Sequence, residues 1–309
     1  STLSRPIVTG LLKEDLGFKG LVFSDAMEMK GVVKYFPDGE ADVRAIMAGN
    51  DVVELSENTP RAIKMVKQAI RKREIPMDQI NASVKKILAA KYWAGLNQDL
   101  SVDTANVYED LNRAEAYALN QRLSDAAVTV LKSDSLIKEL DLSRRTAIIS
   151  LGVTEVSTFQ NEMQKRFTNS TNFILSKIAS AADIRNVSNN LKTYDQVIVA
   201  VHDYRKRPQS SLDYNSELKN FIASLAKLNT VTCVFANPYT LRGLPGIARS
   251  RSIVVNYQNS EEMQIAAAKV LSNQMGTSGR LPVTIDAVFK TGDGIDFFPV
   301  PKTVSGQVQ

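Results

Sequence analysis

Two kinds of hydrophobic pattern alternate along the first part of the chain. Short continuous apolar runs occur in GLVFSD (20–25) and DVVELS (51–56). Apolar residues recur at helical spacing in EADVRAIMAG (40–49), RAIKMVKQAIRKRE (61–74) and MDQINASVKKILAAKYWAGL (77–96). Continuous apolar strands that alternate with helices are typical of a parallel sheet covered by helices. The pattern therefore predicts parallel β/α units over residues 1–96.

This first segment shows two strands, which are too few for a domain. Two parallel strands leave both edges of their sheet unpaired, and their helices keep an uncovered apolar face. We therefore expect residues 1–96 to need partner elements that are not among the 309 residues.

The second part of the chain has a more regular alternation. Residues 97–118 are polar and turn-rich and predict a linker, and a helix is expected over 119–133. Five predicted strands then alternate with helices, the fourth helix being TLRGLPGIARS (240–250); the strands are TAIISL (146–151), NFILS (172–176), DQVIVAV (195–201), TVTCVF (230–235) and SIVVNY (252–257). This series predicts a complete doubly wound α/β domain over 119–309, with GRLPVTI (279–285) along an edge of its sheet.

The composition excludes several classes of protein. The chain has a net charge of +5, but its basic residues are interleaved with acidic ones, whereas nucleic-acid binders concentrate them on one face or tail. No apolar stretch approaches the ~20 residues that span a bilayer. The single histidine, His202, and the single cysteine, Cys233, argue against a zinc site. We expect no cofactor, no metal, no nucleic-acid partner and no membrane span.

Common catalytic motifs of α/β domains are missing from the second part. SLGVTEVS (150–157) has one glycine where a dinucleotide fingerprint needs three, and no P-loop lysine follows. There is no Gly-x-Ser-x-Gly elbow. Because the chain has one histidine, a Ser–His–Asp triad could only use His202. His202 follows a central strand, at the sheet edge where α/β sites lie. A hydrogen-bonded loop histidine is the favoured interpretation.

Asp25 is the strongest candidate for chemistry in the first part. It ends an apolar run, and a carboxylate at the C-terminal end of a barrel strand occupies the position from which such barrels perform catalysis. Aspartate also commonly caps the turn that follows a strand. Position alone leaves the two interpretations equally open.

Several separated motifs resemble glycoside hydrolase family 3. LLKEDLGFKGLVFSDAMEMKGV (11–32) resembles the strand carrying the family's nucleophile, and GEADVRAIMAGNDVVEL (39–55) and INASVKKILAAKYWAGL (80–96) resemble the end of its (β/α)8 barrel. AAVTVLKSD (126–134), VFANPYTL (234–241) and SGRLPVTI (278–285) resemble its C-terminal domain. The resemblance implies an α/β fold, with the C-terminal portion of a TIM (β/α)8 barrel followed by a doubly wound α/β sandwich domain.

The residues after Asp25 indicate a branch of the family. Its β-glucosidases usually have a tryptophan after the aspartate, whereas SDAMEMKGV (24–32) resembles the β-N-acetylhexosaminidase branch, whose methionine Met29 matches. The resemblance implies a retaining exo-glycosidase that hydrolyses terminal N-acetylglucosamine, as in cell-wall fragments or chitooligosaccharides. Asp25 would be the nucleophile and Met29 a substrate-binding residue. The alternatives are a β-glucosidase of the same family and a non-catalytic carbohydrate-binding or scaffold remnant.

The general acid/base of the reaction has no counterpart in this sequence. The hexosaminidase branch uses a histidine paired with an aspartate in a His-, Pro- and Gly-rich loop, and no such motif occurs here. No glutamate aligns with the acid/base of the β-glucosidases. We therefore expect the missing N-terminal barrel half of the same protein as a partner, and no hydrolysis by this chain alone. Two-domain members of this type are often exported, so a periplasmic or cell-surface location is favoured.

Overall fold

A computed structural model describes residues 1–98, 103–132, 135–205, 209, 211–226 and 228–299. The chain divides into two compact units, Ser1–Ala105 and Asn106–Gln309. The boundaries expected from the sequence, 1–96 and 119–309 around a linker, stay predictions. Residues 99–102 of that linker, Ser133 of the expected helix, and 300–309 of the expected second domain lie outside the described residues.

The first unit contains parallel β/α units, as the sequence predicts. Its elements are a π-helix (Pro6–Asp15), β1 (Phe23–Ala26), α1 (Lys30–Val33), α2 (Glu40–Ala48), β2 (Val52–Glu54), α3 (Thr59–Arg71) and α4 (Met77–Trp93). β1 and β2 pair in parallel. Gly49, with a φ of 112°, ends α2 in a backbone conformation that favours glycine. The Asn58 side chain caps α3 by accepting a hydrogen bond from the N–H of Arg61 at 3.2 Å.

The core of the first unit is small and lies on one side of its two strands. Val22 packs with Val8 of the π-helix and Ala48 of α2. The strand at residues 20–25 was expected to lie in a sheet covered by helices, and this is wrong at Phe23, which is 53% exposed. Successive side chains of a strand point to opposite faces. The face of Val22 and Ser24 is buried, and the face of Phe23 and Asp25 is exposed.

The second unit is built around one mixed sheet with helices on both sides. Its elements are α5 (Val107–Leu111), α6 (Ala114–Ala127), β3 (Thr129–Lys132), α7 (Ser135–Glu139), β4 (Thr146–Leu151), α8 (Thr158–Gln164), β5 (Ser170–Leu175), α9 (Ala181–Leu191), β6 (Gln196–His202), α10 (Ser216–Leu225), β7 (Thr230–Phe235), β8 (Ser252–Val255) and α11 (Glu261–Leu271). The strand order is β3-β8-β7-β6-β4-β5, and β3 is antiparallel to β8 while the other pairs are parallel. The predicted α/β fold is confirmed.

The helix expected over 119–133 is wrong in its second half. α6 ends at Ala127, and Thr129–Lys132 forms the edge strand β3 beside β8. Helical spacing continues through this stretch, but Thr129, Val130 and Leu131 are all buried. Pairing with a strand more than 100 residues away overrides the local helical pattern here.

The helix expected over 240–250 is also wrong. The segment instead forms two short 3₁₀ helices, Pro238–Gly243 and Ile247–Arg249. Pro245 has no N–H for a continuous helix, and Gly246 adopts a left-handed φ of 73°. Together they interrupt any single helix between β7 and β8.

Helices cover both faces of the second sheet. Side chains of α9 and α10 pack on one face, and side chains of α8 and α11 pack on the other. The chain after α11 returns to the edge of the sheet, where Ile295 forms an antiparallel bridge with Val130 of β3. The segment 279–285 belongs to this return, and the N–H of its Leu281 donates to the carbonyl of Asp293 at 2.8 Å. None of the described helices has the length and apolar character that crossing a membrane requires.

Candidate active site at the end of strand β1

Asp25 lies at the C-terminal end of β1, one residue before the strand ends. Its side chain is exposed, and its Oδ1 accepts a hydrogen bond from the N–H of Ala26 at 2.8 Å. This bond fixes one carboxylate oxygen within the strand itself. The exposed carboxylate therefore stands at the edge of a parallel sheet from which β/α proteins perform chemistry.

The end of β1 is tied to the neighbouring strand by hydrogen bonds at Glu54. The N–H of Met27 donates to the carbonyl of Glu54 at 3.0 Å. The N–H of Glu54 in turn donates to Oγ of Ser24 at 2.9 Å. Both backbone groups of Glu54 thus hold the segment that carries Asp25.

The opposite end of the strand pair is anchored by Asp51, whose side chain is buried. Its Oδ2 accepts a hydrogen bond from the N–H of Val22 at 3.0 Å, and its Oδ1 accepts one from Ser83 at 2.7 Å. Nζ of Lys86 lies 3.2 Å from Oδ2, and Nζ of Lys13 lies 3.5 Å away. Burial alone would raise the pKa of Asp51, but the bonds from Ser83 and Val22 and the charge of Lys13 lower it. The carboxylate therefore connects the π-helix, both strands and α4.

Met29 follows β1 on the segment that leads into α1. Its carbonyl accepts hydrogen bonds from the N–H groups of Val32 and Val33 at 2.7 and 3.0 Å. Its side chain is exposed. Met29 thus begins the first turn of α1, four residues beyond Asp25.

Glu54 is a second carboxylate at this edge, which the sequence reasoning passed over. It is the last residue of β2, it is exposed, and it stands opposite Ala26 in the parallel pair. The signal for it was present, because DVVELS ends an apolar run in an acid just as GLVFSD does. Each of the two parallel strands therefore carries an exposed carboxylate in one of its last two residues.

His202, in the second unit, belongs to a buried hydrogen-bonded row. Its Nε2 lies 3.2 Å from Oγ of Ser150, and its Nδ1 lies 2.7 Å from Oδ1 of Asn259. This order resembles that of a hydrolytic triad, but Ser150 is 0% and His202 1% exposed. Burial lowers the pKa of His202 to about 4, although the bond to Asn259 opposes this shift. Of the three residues, Asn259 is partly exposed, but Ser150 and His202 are closed to solvent in the described structure, so we interpret the row as structural. His202 ends β6 rather than lying in a loop, which corrects that expectation.

A cleft of about 500 Å³ opens at the C-terminal ends of β6, β7 and β8. Its lining includes Asp203, Arg205, Asn237 and Tyr257. The guanidinium of Arg205 makes two hydrogen bonds to the carboxylate of Asp203, at 2.8 and 2.6 Å. The charged groups of this cleft therefore neutralise each other. In the described part of the chain, no cluster of three or more histidine, cysteine, aspartate or glutamate side chains is suited to a metal ion.

The fold and the candidate site define an α/β protein with a carboxylate site at the end of a parallel β/α strand. Comparison with known proteins makes the class more specific. Residues 1–90 match the family model described as "Glycosyl hydrolase family 3 N terminal domain". The resemblance to glycoside hydrolase family 3 is therefore confirmed.

The relatives of this chain carry names of glycosidases. It is 26% identical over 132 residues to the "Beta-N-acetylglucosaminidase/beta-glucosidase" of Cellulomonas fimi, a match that covers 43% of this chain and 23% of that protein. It is 24% identical over 222 residues to "Beta-hexosaminidase A" of Pseudoalteromonas piscicida, covering 69% and 36%. The chain thus spans between about a quarter and a third of the length of these two relatives.

A solved structure shares the fold. The glycoside hydrolase family 3 beta-N-acetylglucosaminidase from Paenibacillus sp. str. FPU-7 matches with a TM-score of 0.70 and 22% identity. The match covers 92% of this chain and 55% of that one. At this level of identity the likeness shows a common fold.

Proposed function

We propose that the natural full-length protein is a retaining exo-glycosidase that hydrolyses terminal β-linked N-acetylglucosamine, with Asp25 as the nucleophile. The observation that carries the proposal is the exposed Asp25 carboxylate at the end of β1, with Oδ1 bonded to the N–H of Ala26. The names of the two relatives support N-acetylglucosamine as the sugar, since one name includes a beta-N-acetylglucosaminidase and the other is a beta-hexosaminidase.

The reaction proceeds in two steps at the anomeric carbon. One oxygen of Asp25 attacks this carbon while a general acid protonates the departing glycosidic oxygen, so that a covalent glycosyl-enzyme forms. The group that served as the general acid is now a base and removes a proton from water. The water oxygen attacks the anomeric carbon, and the bond to Asp25 breaks. The transition states carry positive charge on the sugar ring, which the carboxylate stabilises.

Met29 is the proposed substrate-binding residue beside the nucleophile. The support is its exposed side chain at the start of α1, three residues after the end of β1. An unbranched thioether adapts to an irregular apolar surface such as an acetyl methyl group. In this arrangement Met29 favours N-acetylated sugars over the corresponding glucosides.

The general acid/base is proposed to come from further barrel elements of the same protein, its N-terminal barrel half. Among the described residues the first sheet contains two strands, and many large apolar side chains of the first unit are exposed. They include Leu16, Phe23, Leu88, Tyr92 and Trp93. This number of exposed large apolar side chains in one small unit supports further elements that cover them. The 309-residue chain alone is then expected to hydrolyse no glycoside.

The test compares the natural full-length protein with its Asp25→Ala variant on a chromogenic N-acetyl-β-glucosaminide and on the matching β-glucoside. We expect Asp25→Ala to lose at least ~10³-fold in kcat. Asp38→Ala is the control, because Asp38 is an exposed carboxylate of the same unit, 3.7 Å from Arg61.

Each alternative has its own outcome in this experiment. Preference for the glucoside would identify a β-glucosidase. An inactive full-length protein would leave the non-catalytic carbohydrate-binding or scaffold protein instead. An Asp25→Ala variant with parental kcat would exclude Asp25 as the nucleophile. Rescue of an Asp25→Gly variant by azide, with inversion of the product's anomeric configuration, would identify Asp25 as the nucleophile.

A further inference from the structure

β1 contains a bulge at the residues that include the proposed nucleophile. Phe23 stands opposite Val52, and Ala26 stands opposite Glu54. Three steps along β1 therefore match two steps along β2, which places one extra residue at Ser24 or Asp25. Bulges bend a strand and redirect its side chains, and they are frequent beside active sites.

The hydroxyl of Ser24 bridges this bulge. Its oxygen accepts a hydrogen bond from the N–H of Glu54 at 2.9 Å, across the strand pair. Its proton is donated to the carbonyl of Asp25 at 2.7 Å. A serine hydroxyl carries one donor and acceptor lone pairs, so one small group satisfies both backbone partners. Ser24 is buried, and water is therefore a poor substitute in this role.

The bridge fixes the backbone that holds the Asp25 carboxylate. Ser24 holds the carbonyl of Asp25, and the next N–H along the chain, that of Ala26, holds Oδ1. Both ends of the Asp25–Ala26 peptide unit are thus engaged, and Glu54 connects them to β2.

We propose that Ser24 is a positioning residue for the glycosidase reaction, because its hydroxyl holds the bulge that aims Asp25 at the anomeric carbon. The inference rests on the proposed function. Without the hydroxyl, the N–H of Glu54 and the carbonyl of Asp25 lose these partners, and the bulge relaxes towards another register. A displacement of a reacting group by about 1 Å costs about 10²-fold in rate.

The test uses the natural full-length protein and its Ser24→Ala, Ser24→Thr and Ser24→Cys variants. For Ser24→Ala, we expect kcat to fall about 10-fold to 100-fold per folded molecule, with KM within about threefold. Ser24→Thr keeps the hydroxyl and is expected within about threefold of the parental kcat. Ser24→Cys replaces the hydroxyl by a larger group that is a weaker donor and acceptor, and its kcat should lie between those of the Ala and Thr variants, which covers the case of an Ala variant that does not fold.

Ser272→Ala is the matched control. Ser272 is buried like Ser24, and its hydroxyl donates to a backbone carbonyl, that of Ala268, at 2.8 Å. It lies in the second unit, outside the proposed site. We expect this variant to lose thermal stability while its kcat per folded molecule stays parental.

A second readout keeps this inference separate from the proposed function. Hydrogen exchange in the peptide 52–56 should accelerate at least ~10-fold in Ser24→Ala, because the Glu54 amide loses its acceptor. Parental kcat in Ser24→Ala or Ser24→Cys, with an inactive Asp25→Ala, would overturn the positioning role while the proposed function stands. A full-length protein that turns over no glycoside would overturn both, whatever the exchange result.

Discussion

The two units use the same alternation of strands and helices but bury their apolar side chains very differently. In the second unit Phe159, Phe235 and Phe297 are all 0% exposed. In the first unit Phe23 is 53% and Trp93 89% exposed. Both units have well-formed helices, so the difference does not arise from local structure.

The number of paired strands explains the difference. The second sheet has six strands in the described chain, and helices cover both of its faces. Among the described residues the first sheet has two strands, and the buried clusters of its unit contain three residues each. A β/α unit buries its second face when further strands extend the sheet. The second unit therefore carries an extensive core of its own, whereas the first unit has small buried clusters.

Separate expression of the two units gives the largest expected contrast. We expect 106–309 to unfold in one cooperative thermal transition, with a free energy of unfolding of about 5–15 kcal/mol. We expect 1–105 to show no cooperative transition and to bind a dye for exposed apolar surface. Circular dichroism melting and dye fluorescence make the comparison. A sharp thermal transition of 1–105 would contradict the expected difference between the two units.

A pair of phenylalanine substitutions in the 309-residue chain tests the same contrast at single positions. Phe159 is fully buried, with its ring 5.2 Å from that of Phe235, and Phe159→Ala should cost about 3–5 kcal/mol in the free energy of unfolding. Phe23→Ala removes a half-exposed ring and should cost less than about 1 kcal/mol. Chemical denaturation measures both values. Equal losses would contradict the difference between the units.

The buried row at His202 predicts a dependence of stability on pH in the second unit. The unfolded chain takes up a proton near pH 6.5, whereas the folded histidine, with a pKa of about 4, stays neutral until lower pH. Stability should therefore fall as the pH drops from about 6.5 to about 4, by roughly 3 kcal/mol in total. His202→Gln should flatten this slope in denaturation curves of 106–309. An unchanged slope would show that other groups cause it.

Helix capping should have the smallest effect, and the same effect in both units. Asn58 caps α3 of the first unit, and Ser180 caps α9 of the second with its hydroxyl and Asp183 in a reciprocal pair. Asn58→Ala and Ser180→Ala should each lower the stability of their helix by about 1 kcal/mol. Amide exchange in the first turn of each helix measures this loss. A much larger loss in one unit would show that its cap also supports tertiary packing.

Local signals in the sequence predicted most of the helices and strands. Gly49 and Asn58 act within one helical turn of the residues that they end or begin, so no distant partner is needed. TVTCVF was predicted as a strand, and residues 230–235 form β7. The two failed helices, at 119–133 and 240–250, lie where a distant strand or a Pro-Gly pair decided the backbone.

The candidate site could be found in part from the same patterns. Asp25 stood out because an apolar run ended in a carboxylate, and the motifs around it pointed to a glycosidase. Glu54 ends a similar run, but pairing between β1 and β2 was needed to place it opposite Ala26. The role of Ser24 was invisible, since a serine within an apolar strand has no distinguishing spacing.

The sequence by itself determined the alternation of helices and strands, the resemblance to glycoside hydrolase family 3 and the position of Asp25 at the end of a strand. These depend on periodicity and on residues that are close along the chain. The tertiary structure decided the edge strand β3, the exposure of Phe23, the burial of His202 and the bulge at Ser24. Each of these depends on which distant segment lies alongside, because burial and interstrand hydrogen bonds arise between residues that no local pattern brings together.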